Sequence, residues 1–314
     1  MNARTPAVAG AAARIGPVGV WWGSHDRVPA DQVRAAAAEA ERLGYGALWI
    51  GEAPGGREVF THAALLLDAT RHITVAPAIA NIWLRDPTAA RSAAAALTDA
   101  HPQRFILGLG ASHAAALELI GRPYGKPLTA MRAYLKAMAD SWYAGPEPDQ
   151  PVPVVLAALR TRMQELARDA ADGMHSCFVT PEHTAAARAT LGPGPLLVPE
   201  QAVVVGSDRE RARRTARRHV ASRLGLTHYV RHLKAMGFTD DDLADGGSDH
   251  LVDALVATGD EETVTRRVRA HLDAGADHVA VHPLGHRADR AGLEQLRALA
   301  PVLGLGDPKP ASIS

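Results

Sequence analysis

From residue 17 to about residue 300, apolar runs of strand length alternate with segments of helical period. This alternation constrains the fold most, because strands joined by helices run parallel and a parallel sheet must be covered by helices or close on itself. The strand runs fall at 17–22, 47–50, 73–78, 104–109, 154–156, 174–179, 202–205 and 278–281. In the first helical segment Val33, Ala36, Ala37, Ala40 and Leu43 recur at spacings of three and four, and Gly44 ends it. Further helices are expected over 60–69, 86–100, 128–142, 161–170, 209–222, 264–272 and 290–299, with a short one after Pro181. Eight strands separated by helices predict an α/β fold of the (β/α)8 TIM barrel type. A doubly wound sheet is the alternative. It would carry G-x-G-x-x-G after the first strand, where this chain has Gly23-Ser24-His25-Asp26.

The chain has 314 residues, 47% of them hydrophobic, which is enough for one sizeable core. We read a single barrel domain over 15–304, loose tails at 1–14 and 305–314, and an insertion at 224–250, where the rhythm breaks. Thirty-four basic side chains balance 34 acidic ones, which argues against nucleic acid or a membrane surface as partner. The single cysteine, Cys177, cannot form an internal disulfide and fits the reducing cytoplasm. The apolar runs are far shorter than the roughly 20 residues of a membrane helix.

Barrel enzymes place their chemistry at the carboxyl ends of the strands. Here those positions hold Trp22, His25, Glu52, Ala80, Asn81, Gly110, His113, Ala157, Ala158, Arg160, His175 and His282. Glu52 reads either as an acid, base or cofactor contact, or as a carboxylate capping a neighbouring helix. Gly108-Leu109-Gly110 reads as close backbone approach to a ligand or as a tight strand-to-loop turn. Ala157-Ala158-Leu159-Arg160-Thr161 sets small residues before a helix N-terminus, where free N–H groups and the dipole favour an anion. Arg160 either adds a fixed charge there or faces solvent. His278, His282 and His286 recur every four residues, but that spacing spreads them along a strand. With no H-E-x-x-H, no metal is expected.

Longer segments carry a resemblance: Ile79-Ala80-Asn81-Ile82-Trp83, Arg122-Pro123-Tyr124, Met131-Arg132-Ala133-Tyr134-Leu135, Phe178-Val179-Thr180-Pro181-Glu182-His183-Thr184, and Ala274-Gly275-Ala276-Asp277-His278-Val279. Over roughly residues 15–300 the chain resembles the bacterial luciferase-like flavin and deazaflavin oxidoreductases, and among them the actinobacterial enzymes that use coenzyme F420. The resemblance implies the same barrel, a homodimer, a small-molecule substrate and hydride transfer to or from the deazaflavin C5 carbon. It implies that Glu52, the strand-three bulge (Pro77, Ala78, Ala80, Asn81) and the strand-four end (Leu109, Gly110) flank the ring, with a strained cis peptide near Pro77-Ala78. It implies that Ala157, Ala158 and Arg160 hold the phosphate.

The proton candidates are Glu52, His113 and His175, and Trp22, His25 and Trp83 are the candidate substrate contacts. Two departures stand out. Relatives usually carry Gly-Pro where this chain has Arg160-Thr161. Ala53 and Ala111 replace the acid–base pair of relatives that oxidise glucose 6-phosphate, which excludes that mechanism. An FMN-dependent monooxygenase and a non-catalytic ligand-binding barrel are the alternative readings.

Overall fold

The computed structural model describes residues 5–23, 28–285 and 292–306. Its strands are β1 (Val18–Trp22), β2 (Ala47–Ile50), β3 (Thr74–Pro77), β4 (Ala80–Asn81), β5 (Leu107–Gly110), β6 (Val154–Ala157), β7 (Gly173–Ser176), β8 (Leu196–Val205), β9 (Val256–Gly259) and β10 (Val279–Pro283). The helices are α1 (Pro6–Ile15), α2 (Ala30–Arg42), α3 (Val59–Asp68), α4 (Pro87–Ala100), α5 (Ala114–Glu118), α6 (Pro127–Ala139) and α7 (Thr161–Ala170). They continue with α8 (Pro181–Leu191), α9 (Arg209–Leu224), α10 (Thr227–Ala235), α11 (Asp240–Leu243), α12 (Asp249–Leu255), α13 (Glu261–Asp273) and α14 (Leu293–Val302).

Neighbouring strands run β3-β2-β1-β10-β8-β7-β6-β5, and the pairings are parallel. The ring closes where Val75 N–H donates to the Arg104 carbonyl (2.9 Å) and Ile106 N–H donates to the Val75 carbonyl (3.2 Å). The fold is thus the expected barrel. β4 prolongs the third strand beyond a bulge and pairs with β5, and β9 pairs with the outer end of β8.

Successive strand residues face opposite ways, and this parity sorts the core. Trp21, Trp49, Ala76, Ile106, Val155, Val198 and Ala280 gather in the barrel interior. Val20, Trp22, Leu48, Ile50, Leu107, Leu109, Leu156 and Val281 pack outward under the helices.

Three features differ from the sequence expectation. Much of the presumed N-terminal tail is helix α1, capped by Thr5, whose Oγ1 accepts from Val8 N–H at 3.3 Å. Val8 and Ile15 are buried with the interior cluster, so α1 plugs the amino end of the barrel. Its many alanines hid the apolar stripe. An Ile15→Ala variant is expected to lose about 2–5 kcal/mol, read as a lower urea midpoint at unchanged m, whereas a loose tail would change by no more than about 0.5 kcal/mol.

Second, β8 begins six residues before the expected strand at 202–205, because Pro199, Glu200 and Gln201 interrupt its apolar pattern. β9 was not expected at all. Third, the stretch read as an insertion is mostly helical. Its Leu233 is buried in a separate cluster with Val220, Leu251, Val252 and Leu255 from its flanks and with Phe178 and Leu284. At the other end Leu305 packs against the outer core, while 307–314 lie outside the described residues. Among the described residues no helix is long and apolar enough to cross a membrane.

Candidate active site at the barrel mouth

Interior parity decides which side chains reach the carboxyl end. On β3 and β6 it brings up Ala78 and Ala157, which are half-buried above the fully buried Ala76 and Val155. One wall of the mouth is therefore nearly free of side-chain bulk. Further round the ring, beginning on β7 beside Ala157, the same parity brings up Cys177, Glu200 and His282, and Trp21 on β1 packs its ring 4.4 Å from His282. α9 and α10 cover this second wall and add His219, Arg223, His228 and Tyr229. The His219 ring stands edge-on to His282 at 5.3 Å, and the Tyr229 hydroxyl lies 3.2 Å from Cys177 Sγ.

The polar wall is strongly coupled. Burial alone would push the Glu200 carboxyl up, yet its hydrogen bond from His282 Nδ1 (2.5 Å), its electrostatic interactions with the His282 and His219 rings and the charge of Arg223 hold it down at about 2. Glu200 is thus a carboxylate at neutral pH. Burial, then Arg223, pushes His219 down to about 3, so that ring is neutral. Burial raises the Cys177 thiol to about 11, which leaves it protonated and a poor nucleophile.

The bulge after β3 contains the cis peptide bond, between Ala78 and Ile79, one residue later than expected. Glu52 anchors this bulge. Its Oε2 accepts from Asn81 N–H at 2.7 Å and from Arg85 Nη1 at 2.8 Å, while Oε1 pairs with Arg85 Nη2. Arg85 also donates to the Asn81 carbonyl at 3.1 Å and lies over the Phe60 ring. Both Glu52 oxygens are committed, so its carboxylate shapes the bulge and is not presented to the mouth.

His175 likewise lies below the opening. Its ring is buried and stacked on Trp49 at 5.5 Å, and burial pushes it down to about 4, so it packs as a neutral ring. His113 does reach the rim. There its Nδ1 accepts from Ala116 N–H at 3.2 Å as the cap of α5, and its ring stacks on His228 at 5.4 Å.

The expected cofactor and substrate residues divide in the same way. Leu109, Ala80, Ala158 and Trp22 belong by parity to the outer core, so their side chains do not line the mouth. Pro77 follows Ala76 and faces outward too. Asn81 is buried, and its Oδ1 accepts from Trp83 N–H at 3.1 Å. Gly110 and Gly108 are required by the bulge: a Cβ at Gly110 would overlap the Ile79 side chain, and one at Gly108 would overlap the Pro77 carbonyl oxygen. Trp83 sits at the rim, donating from Nε1 to the Ala111 carbonyl at 2.8 Å with Tyr124 beside it. His25 and His286 lie outside the described residues.

Arg160 is exposed at the N-terminus of α7 and has no acidic partner among the described residues. It opens a groove of about 930 Å³ that runs past Thr180, His183 and His232 to Phe238. His232 is 2% exposed, and its Nε2 is buried without a partner among the described residues.

Against this geometry, the family model described as Luciferase-like monooxygenase matches residues 15–278. The chain belongs to that family. Among its luciferase-like relatives is a 5,10-methylenetetrahydromethanopterin reductase of Archaeoglobus fulgidus, 24% identical over 292 residues, which span 78% of this chain and 88% of the relative. The coenzyme F420-dependent tetrahydromethanopterin reductase of Methanopyrus kandleri superposes with a TM-score of 0.71 at 17% identity, covering 92% of this chain and 99% of the other. An F420-dependent secondary alcohol dehydrogenase in complex with an F420–acetone adduct gives 0.69 at 14% identity, covering 90% and 99%. These superpositions establish the shared luciferase-like fold.

Sequence reasoning passed over Glu200, His219, Arg223, His228 and Tyr229 as site residues, and set His282 aside with the metal question. One signal was present. Glu200 follows Leu196 and Val198 at the strand period, and a charge on the buried face of a strand demands a partner.

Proposed function

We propose that this protein is an oxidoreductase that transfers a hydride between coenzyme F420 and a small organic substrate. The observation that carries the proposal is the two-sided mouth: the small side chains of Ala78 and Ala157 face the polar group of Glu200, His282 and His219. A flat tricyclic ring fits against a wall without bulk, and a substrate held between ring and polar wall meets groups that can move a proton. Arg160, the start of α7 and His232 Nε2, which has no hydrogen-bond partner among the described residues, suit the anionic tail of such a cofactor. When bound, the deazaflavin supplies or accepts the hydride. The protein positions both partners, excludes water beneath the α9–α10 cover and handles the proton.

An FMN-dependent monooxygenase would use the same mouth, and the family's description favours keeping that second reading. Titrating the purified protein with F420 and with FMN, and following ring fluorescence, separates the two. Quenching by F420 at micromolar concentration is expected; quenching by neither removes both. Tight binding without turnover across a broad substrate panel would instead support a ligand-binding barrel. The finer placement in an actinobacterial F420 branch rests on the segments at 79–83, 122–135 and 178–184. Residence in the cytoplasm fits the lone thiol, and a homodimer follows by analogy with the family.

A further inference from the structure

We propose that His282 is the group that exchanges the substrate's proton, held in one tautomer by Glu200, and that the substrate is therefore a carbon–heteroatom couple, an alcohol and its ketone or an amine and its imine. The inference rests on the hydride-transfer reading above.

The geometry supports each part. β10 places His278, Ala280 and His282 on the interior face. His278 lies against Trp49 at depth, Ala280 is fully buried, and His282 is the last of the three, with 13% of its side chain exposed at the mouth. Glu200, only 4% exposed, accepts a hydrogen bond from Nδ1 of His282 at 2.5 Å. A carboxylate can only accept, so Nδ1 carries a hydrogen, which leaves Nε2 as the ring atom able to exchange a proton with a substrate. The Trp21 ring at 4.4 Å and the His219 ring at 5.3 Å pack against His282 and restrict its rotation.

Glu200, His219 and His282 also have the composition of a metal site, with ligand atoms all within 4.8 Å of one another. The neighbourhood disfavours that use. The Arg223 guanidinium is close enough to act on Glu200 and His219, and a divalent cation would face this fixed positive charge. One candidate ligand pair is already joined as a hydrogen bond.

In the oxidative direction the substrate O–H or N–H proton passes to Nε2 of His282. The adjacent C–H bond breaks, and its electron pair leaves as hydride to the deazaflavin. The C=O or C=N bond forms from the electron pair of the O–H or N–H bond. In reduction the imidazolium returns the proton to the heteroatom. Glu200 acts through His282 and is a positioning residue.

The test uses the F420-loaded protein with 2-propanol, cyclohexanol and cyclohexylamine, and the reduced cofactor with cyclohexanone and 2-methyl-1-pyrroline. His282→Ala is expected to lower kcat by about 10²–10⁴-fold while F420 affinity, read by fluorescence, stays within about threefold. Added imidazole should restore at least about tenfold of the lost rate, which a merely structural role would not allow. Glu200→Gln should lower kcat by about 10–100-fold with little change in KM, and Glu200→Asp should recover part of the loss. Equal turnover by wild type and His282→Ala overturns the inference. So does F420 binding by the wild type with turnover of none of these probes. Failure to bind F420 at all overturns the hydride-transfer reading as well, and is recognised by the fluorescence titration alone.

Discussion

An Arg85→Ala variant is expected to lose about 3–5 kcal/mol of folding stability, measured by urea denaturation at neutral pH. Arg85 and Glu52 side chains are 9% and 3% exposed, and between them they hold the Asn81 N–H and carbonyl. Removing the guanidinium leaves the Glu52 carboxylate in a place that water does not reach, with the Asn81 N–H as its remaining partner among these contacts. The penalty is the uncompensated charge, which exceeds what the pair contributed when intact. A second variant separates these terms. Adding Glu52→Gln to Arg85→Ala removes the orphaned charge while keeping an acceptor for Asn81 N–H, so the double variant should be more stable than Arg85→Ala alone. If Arg85→Ala changes stability by less than about 1 kcal/mol, the pair behaves as a surface ion pair and the anchoring role assigned to Glu52 fails.

Gly108→Ala should be at least as damaging, for a different reason. The Cβ would coincide with the carbonyl oxygen of Pro77, a backbone atom that cannot swing aside as a flexible side chain does. β3 and β5 would have to separate where the barrel closes, at a cost of about 3 kcal/mol or more, read as a lower melting temperature or as insoluble protein. Gly225→Ala provides the contrast. Nothing lies within 4 Å of its Cβ position, and its φ of −71° suits any residue, so this change should be neutral or stabilise by about 0.4–1 kcal/mol. If Gly108→Ala proves as mild as Gly225→Ala, the close approach of the two strands is not what keeps glycine there.

These two variants mark where the sequence was readable and where it was not. The barrel was legible because the alternation of strand and helix periods is local and repeats along the chain. β8 was legible only at its outer end, since Pro199, Glu200 and Gln201 look like loop residues until neighbouring strands supply partners for them. The carboxyl ends of strands can also be marked on a sequence, and the region proposed for the site follows from them. Its individual residues were less legible. Whether a side chain near a strand end faces the interior or the helices depends on one residue of register, and that register is set by pairing across the sheet. Trp22 and Leu109 fell on the outer side for this reason, and Trp21 on the inner. Glu52 was read as a half-buried carboxylate that serves the chemistry or caps a helix, but its partner Arg85 lies 33 positions away, and no local pattern joins the two. His219 and His228 sit on helices whose own periodicity says nothing about the barrel they cover.

The two walls of the mouth have separate origins along the chain. The smooth wall and its anchored bulge come from residues 52–157, whereas the polar groups and their cover come from residues 177–282, with Trp21 of β1 packed against His282. A recombination joining the first half of one relative to the second half of another would pair an inherited smooth wall with a new set of reactive groups and a new far side of the Arg160–His232 groove. In such a chimaera the smooth wall would pass on intact, while the groups that meet a substrate would change together as one block.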